Sequence, residues 1–226
     1  NDQWADLLDK KGRRLADLID AKLWDRSEKW YGSAGPDGEL RFAWTPDVLH
    51  IPALTGRQDG RAESFFEWLE GDEFLSAYGL RGYASGRTPV PAMGKDVPPP
   101  EYSRVEDAPL LALSLYEEGM PGLAEDILYR LMWWGSYFIH LPAAVSAEDM
   151  AYYEDGPANS LSGAVGVEAV LSGIFGLRVT PEGEISLEPH TPEDADYIEM
   201  HRLKLREREI ELVLKKDTCE VVIDKG

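Results

Sequence analysis

The sequence contains a single cysteine, Cys219, among its 226 residues. One cysteine excludes a disulfide within the chain and leaves no cysteine-based metal site. The four histidines, His50, His140, His190 and His201, are far apart and do not match the spacing of metal ligands. No apolar run is long enough to cross a membrane as a helix. We therefore expect neither a metal nor another cofactor.

Basic residues are also scarce, with 23 lysines and arginines against 42 acidic residues and a formal net charge of −19. A field of this sign repels phosphate backbones, so nucleic acid is not an expected partner. An anionic membrane surface is disfavoured for the same reason. A neutral ligand such as a sugar would feel little of this charge, which also serves solubility.

The composition predicts a folded chain, because 43% of the residues are hydrophobic and 10% are aromatic. That is enough apolar material for the core of one large domain. The sequence begins at Asn1 without methionine or a signal-peptide pattern, and we expect the gene product to start upstream of it. Neither a cytoplasmic nor a secreted location is favoured.

Helical periodicity recurs in five segments: 2–24, 61–71, 107–118, 121–140 and 161–176. Asp107 suits an N-cap, Gly119 suits a helix end, and Pro121 suits a first helical position. The short junction between the third and fourth segments predicts an antiparallel helical hairpin. In the last segment, we expect close helix–helix contact to require at least one of Gly163, Gly166 and Gly173. We predict that Gly166→Leu destabilises the chain by overpacking, on the order of 1–3 kcal/mol.

The stretches 80–105 and 142–160 are rich in turn residues and are predicted to be long loops. From residue 177 the period changes to two, which predicts short antiparallel strands. Their alternating apolar face should pack inward; it comprises Ile185, Leu187, Leu203, Leu205, Ile210, Leu212 and Leu214. The predicted organisation is a helical region over 1–177 and a β module over 178–226.

Three segments resemble the six-hairpin, or (α/α)6-barrel, glycoside hydrolases: "FLSAYGLRGYAS" (74–85), "PPEYSRVEDAPLLALSLYEEGMPGLAEDILYRL" (99–131) and "AVGVEAVLSGIFGLRVTPEGEISLEPHTP" (164–192). The last resembles the join between the final inner helix of such a barrel and its trailing β domain. The resemblance implies a mainly α fold, with antiparallel helical hairpins of a partial (α/α)6 toroid followed by a small antiparallel β module. Twelve helices complete such a barrel, so the missing hairpins would lie on the same gene product or another chain.

The resemblance also implies a glycoside hydrolase that acts on a neutral oligo- or polysaccharide and, like most barrels of this type, inverts the anomeric configuration. Glycoside hydrolysis generally uses one carboxyl group as acid and a second as base or nucleophile. By position, Glu154 in "AYYEDGPANS" (151–160) resembles the catalytic base of the family, and the acid would lie upstream of Asn1. The alternative for Glu154 and Asp155 is a solvated acidic turn.

Glu106 is the next catalytic candidate, although Glu106 and Asp107 could equally act as favourable charges at a helix start. Arg104 could hydrogen-bond a sugar hydroxyl or pair with those acids.

The candidate ligand-binding residues on the remaining loops are Tyr152, Tyr153 and Asp155 beside Glu154, and Trp44 and Arg57 further upstream. Aromatic rings can stack on the faces of sugar rings, and the alternative for the tryptophans is burial in the core. Two other functions stay open: a non-catalytic carbohydrate-binding module, and a phosphorylase or lyase. A phosphorylase would need basic groups such as Arg57, Arg61 and Arg104 to converge.

Overall fold

The computed structural model describes residues 2–51, 61–87, 101–138, 141–153, 160–180, 182–205, 208–215 and 218–225. The α-helices in these ranges are α1 (Asp2–Leu23), α2 (Arg61–Glu70), α3 (Asp107–Glu117), α4 (Pro121–Gly135) and α5 (Ser160–Glu168). A 3₁₀ helix covers Pro46–His50, and α5 continues into a π-helix, Ala169–Ile174. The described part of the chain contains no helix that is long and apolar enough to span a bilayer.

The α3–α4 hairpin forms as predicted, because its turn carries the required residues. Gly119 has a φ of 77°, and its N–H donates to the carbonyl of Tyr116 at 3.2 Å. The next N–H, of Met120, donates to the carbonyl of Leu115 at 2.8 Å. This pair of bonds is the Schellman motif, which favours glycine at the left-handed position. Pro121 then starts α4, and the two helices pack against each other.

Short antiparallel strands fill much of the chain between the helices. Three two-residue pairs come first: β1 (Trp24–Asp25) with β2 (Trp30–Tyr31), β3 (Ser33–Ala34) with β4 (Leu40–Arg41), and β5 (Leu75–Ser76) with β6 (Gly79–Leu80). A three-stranded sheet follows, ordered β7 (Tyr102–Arg104), β8 (Ala144–Ser146) and β9 (Tyr152–Tyr153). Long-range pairing thus links segments that lie about forty residues apart.

The C-terminal strands are β10 (Leu177–Val179) paired with β11 (Ile185–Leu187), and a sheet of β12 (Tyr197–Leu205), β13 (Arg208–Lys215) and β14 (Thr218–Lys225). The predicted inward face is confirmed. Ile210, Leu212 and Leu214 are fully buried with Phe175, and the other four predicted side chains pack against this cluster. The boundary placed between residues 177 and 178 stays a prediction.

The predicted mainly α toroid is wrong. Of the described residues, 41% are helical and 26% are in strands, and they form six small sheets rather than successive helical hairpins. The stretches predicted to be loops, 80–105 and 142–160, instead supply β7, β8 and β9. Pairs of two- or three-residue strands carry too little periodicity to be recognised in sequence, which is why a helix-dominated architecture was expected.

The main core is built around stacked aromatic rings. Trp30 is completely buried, and its ring centroid lies 4.8 Å from that of Trp44 and 5.8 Å from that of Phe74. Its indole N–H donates to the carbonyl of Ala43 at 3.0 Å, so its one polar group is satisfied. Helix α1 contributes little to this core. Ile19 and Leu23 pack against it, whereas Trp4 is 69% exposed.

Close packing does require a glycine in the last helical segment, but the position is Gly173 and not Gly166. A Cβ at Gly173 would overlap the ring of Tyr116 on α3, whereas a Cβ at Gly166 meets no atom within 4 Å. Gly166 borders an apolar cavity of about 470 Å³. The expectation of overpacking at Gly166 is therefore wrong, and close contact is confirmed at Gly173.

We predict that Gly173→Ala lowers the free energy of unfolding by about 1–3 kcal/mol, because the buried Tyr116 ring must move. Gly166→Ala is the matched control. It should leave stability unchanged or raise it by up to about 1 kcal/mol, because alanine is the better helix former. Chemical denaturation of both variants measures the difference. Equal effects of the two substitutions would contradict this packing.

Candidate functional site

Two of the residues proposed from the sequence, Arg104 and Tyr153, lie on the β7–β8–β9 sheet. Arg104 on β7 lies opposite Ala144 on β8, which in turn lies opposite Tyr153 on β9. Residues directly opposite each other in antiparallel strands share a face of the sheet. Neighbouring strands are about 4.8 Å apart, so the backbones of Arg104 and Tyr153 are separated by about 10 Å. Their side chains therefore belong to one face, at the point where the chain enters residues 154–159.

The guanidinium of Arg104 lies between two carboxylates from other elements. Its Nη2 is 2.8 Å from Oδ1 of Asp47, in the 3₁₀ helix, and 3.2 Å from Oδ1 of Asp107, at the start of α3. The backbone N–H of Arg104 donates to Oδ2 of Asp107 at 3.1 Å. One arginine thus ties the sheet to the 3₁₀ helix and to α3.

Asp107 is the most buried carboxyl of this group, with 4% of its surface exposed. Burial raises its pKa to about 7, and the positive charge of Arg104 opposes that shift. Its Oδ1 accepts no hydrogen bond from the described residues, although Arg104 lies close to it. Asp107 is the first residue of α3, and Glu106 occupies the N-cap, so the predicted N-cap position of Asp107 is wrong.

His50, from the same 3₁₀ helix, contacts Ser114 on α3. The Ser114 hydroxyl lies 3.2 Å from Nδ1 of His50 and 3.3 Å from the carbonyl oxygen of Leu110. Burial lowers the pKa of His50, so the ring is neutral near pH 7. In the sequence His50 is one of four dispersed histidines, and its position beside α3 depends on long-range packing.

The two tyrosines of β9 point to opposite faces of the sheet. Tyr152 pairs with Val145 rather than Ala144, is 44% exposed, and meets Phe138 edge-on with ring centroids 5.0 Å apart. Tyr153 is half-buried on the Arg104 face. Of the two tyrosines proposed to face a ligand, only Tyr153 therefore shares a face with Arg104.

The remaining candidates are dispersed or lie outside the described residues. Trp44 is 7% exposed; it stacks on Trp30, and the guanidinium of Arg87 lies 3.9 Å from its ring centroid. Glu106 is half-buried and makes no side-chain cap to α3.

Glu154, Asp155 and Arg57 lie outside the described residues.

The arginines considered for a phosphate site belong to separate groups. Arg61 pairs with Asp20 at 2.9 Å, and its Nη1 lies 3.3 Å from the hydroxyl of Tyr31. Arg104 pairs instead with Asp47 and Asp107. Each guanidinium has carboxylate partners of its own, so this pair gives no support to a phosphorylase. Within the described ranges, no three His, Cys, Asp or Glu side chains are grouped to hold a metal ion.

Comparison with known proteins identifies a fold but no family. No protein-family model matches the chain, and no curated protein matches it. Solved structures do match, and one of them is a chain titled "Sialidase", with a TM-score of 0.79 and 10% sequence identity. The alignment covers 97% of the present chain and 22% of the sialidase chain, so the present chain spans less than a quarter of that protein.

This likeness overturns the resemblance to six-hairpin glycosidases, because the matched architecture is that of a sialidase chain and the structure contains no (α/α)6 arrangement in its described part. An ordered series of helices followed by strands is common to many folds, and it does not specify how the elements pack. At 10% identity the likeness concerns the fold alone.

The buried carboxyl of Asp107 predicts a specific pH dependence of stability. An aspartate ionises near 3.8 when unfolded and near 7 here, so the folded chain keeps a proton that the unfolded chain releases. This contribution is complete below about pH 4, declines as the pH rises through 7, and is absent above it.

The substitution Asp107→Asn keeps the shape of the side chain and removes its ionisable group. From pH 4.5 to pH 8, the unfolding free energy of Asp107→Asn should therefore rise relative to the parent, by on the order of 2–4 kcal/mol. Denaturant titrations at both pH values measure it. A constant difference between variant and parent would show that Asp107 is ionised throughout.

Proposed function

We propose that the chain is the saccharide-binding part of a glycoside hydrolase, and that its site is the face of the β7–β9 sheet that carries Arg104 and Tyr153. The observation that carries this proposal is the strand register, which aligns these two side chains beside the start of the segment with Glu154. The likeness to a sialidase, which is a glycoside hydrolase, agrees with it at the level of the fold.

In this proposal Glu154 is the base, since it follows Tyr153 directly at the end of β9. Glu106 supplies the second carboxyl, because it lies two residues from Arg104 in the sequence. Arg104 is fixed by Asp47 and Asp107, so it offers its remaining N–H groups to sugar hydroxyls from a set position. Asp107 itself is too buried to reach a saccharide, and we assign it the positioning of Arg104.

The substrate we propose is a neutral oligo- or polysaccharide. The chain has a formal net charge of −19, and the Arg104 group adds two carboxylates around one cation. An anionic sugar would be repelled on approach, whereas a neutral sugar would not. Sugar hydroxyl groups can accept from the guanidinium of Arg104 and donate to the exposed carboxylate of Asp47.

A non-catalytic carbohydrate-binding role is the second candidate. One observation favours it: the chain spans 22% of the sialidase chain that it matches, so a complete acid–base pair need not be contained in it. A binding module would use the same Arg104 and Tyr153 face without hydrolysis.

We also propose that further polypeptide of the same gene product packs on this chain. Trp4, Leu8 and Leu15 form an exposed apolar stripe along α1 and contact little of the described body. A stripe of this kind on a helix normally faces another element.

The hydrolytic proposal predicts that Glu154→Gln, made in the full-length natural protein, lowers turnover by at least about 100-fold. The substitution keeps the size of the side chain and removes its ability to accept a proton. Saccharide affinity should change by less than about threefold, because Arg104 and Tyr153 still hold the ligand. Release of reducing ends from a panel of neutral polysaccharides measures turnover, and calorimetry measures affinity.

Asp155→Asn is the matched control, since it removes a neighbouring charge from the same segment and should have a milder effect. If Glu154→Gln hydrolyses its substrate at the parental rate, Glu154 is not the base. If the parent binds neutral saccharides and releases no reducing ends, the binding-module function is the correct one.

A further inference from the structure

A polar cavity, separate from the Arg104 face, lies where the end of α2, the β5–β6 hairpin and α4 meet. Its volume is about 580 Å³, which is within the usual range of small-molecule sites. Its polar lining comes from Asp72, Ser76, Arg81, Asp126 and Arg130, and its apolar lining from Leu69, Leu75 and Leu123.

Arg130 is a fixed part of the wall. Its Nε and Nη2 donate to the carboxylate of Asp126 at 3.1 Å and 2.8 Å, and its Nη1 donates to the backbone carbonyl of Ser76. These bonds orient Arg130 and tie α4 to the β5–β6 hairpin, so they define the shape of the cavity.

Arg81, by contrast, has an unused donor. Its side chain is only 15% exposed and its Nη1 pairs with Glu148, yet its buried Nε has no hydrogen-bond partner among the described residues. Asp72 is exposed and is paired with no cation within the described ranges. Arg81 also contributes its guanidinium to the lining of the cavity. The cavity thus presents a cation, Arg81, and an exposed acceptor, Asp72.

The charge of the lining selects the kind of ligand. The charges of the two arginines and the two aspartates in the lining sum to zero, and the chain as a whole is strongly acidic. An anionic ligand would lie close to the carboxylates of Asp72 and Asp126 in the cavity, and the net negative charge of the chain would repel it on approach. A hydroxyl group can both accept from Arg81 and donate to Asp72, and the three leucines can contact the C–H surface of a sugar ring.

We propose that this cavity is an accessory binding site for a neutral saccharide unit, distinct from the Arg104 face. The ligand class rests on the proposed function, whereas the site itself rests on the cavity and on the Arg81 and Asp72 side chains that line it. Glu148 lies in the connection between β8 and β9, so its ion pair with Arg81 links the two sites through one loop. A polysaccharide bound at the accessory site would be held near the Arg104 face.

The test uses the full-length natural protein carrying Glu154→Gln, with maltohexaose, cellohexaose, xylohexaose and mannohexaose as probes. Hydrogen–deuterium exchange locates each bound probe, and calorimetry measures its affinity. We expect at least one probe to protect the backbone of residues 75–81. Arg81→Lys, which retains a cation for Glu148 but removes the guanidinium from the lining, should weaken that binding at least tenfold, and so should Asp72→Asn.

Glu148→Gln is the matched control, because it weakens the ion pair without changing a residue that lines the cavity. It should alter affinity by less than threefold. Asp72 is exposed, so Asp72→Asn carries the test even if Arg81→Lys fails to fold.

The inference is overturned if no probe protects residues 75–81, if Arg81→Lys and Asp72→Asn bind as the parent does, or if Glu148→Gln weakens binding as much as they do. Failure of the hydrolytic proposal is seen separately, as absence of reducing-end release by the protein that retains Glu154.

Discussion

The contact of Arg104 with Asp47 and Asp107 is the interaction on which the candidate site depends. It joins three elements, namely the 3₁₀ helix, the first strand of the β7–β9 sheet and the start of α3. Burial of Asp107 carries a desolvation penalty, and the charge and backbone N–H of Arg104 offset part of it. The same contact fixes the guanidinium at one edge of the sheet, so a stabilising element also sets the geometry of a surface to which a ligand could bind.

The sequence predicted those parts of the fold that are encoded locally. Gly119 and Pro121 defined the α3–α4 hairpin, and alternation at Ile210, Leu212 and Leu214 defined the buried face of β13. It did not predict β7–β9, because three strands of two or three residues have no measurable period and their pairing joins distant segments. The difference between Gly166 and Gly173 was likewise inaccessible, since it depends on where the ring of Tyr116 lies.

The candidate site residues stay predictions, although the structure shows where several of them lie. Arg104 and Tyr153 were proposed from separate segments, and the strand register brings them onto one face. Trp44 was proposed as a ligand contact, but the structure places it in the aromatic core, because residue type alone does not distinguish a ring that packs inside from one that meets a sugar. The family resemblance was wrong for a related reason. It rested on the order of elements, whereas the architecture is decided by long-range contacts. The role of Glu154 stays a prediction.

A structure of the longer natural protein bound to a neutral oligosaccharide tests the central claim most directly. The account predicts that a sugar ring lies on the face of the β7–β9 sheet that carries Arg104 and Tyr153, with a sugar hydroxyl within about 3.2 Å of the guanidinium. It also predicts that Arg104 keeps its contacts with Asp47 and Asp107 in the complex. A complex in which another part of the protein covers that face, while the oligosaccharide binds elsewhere, would contradict the account.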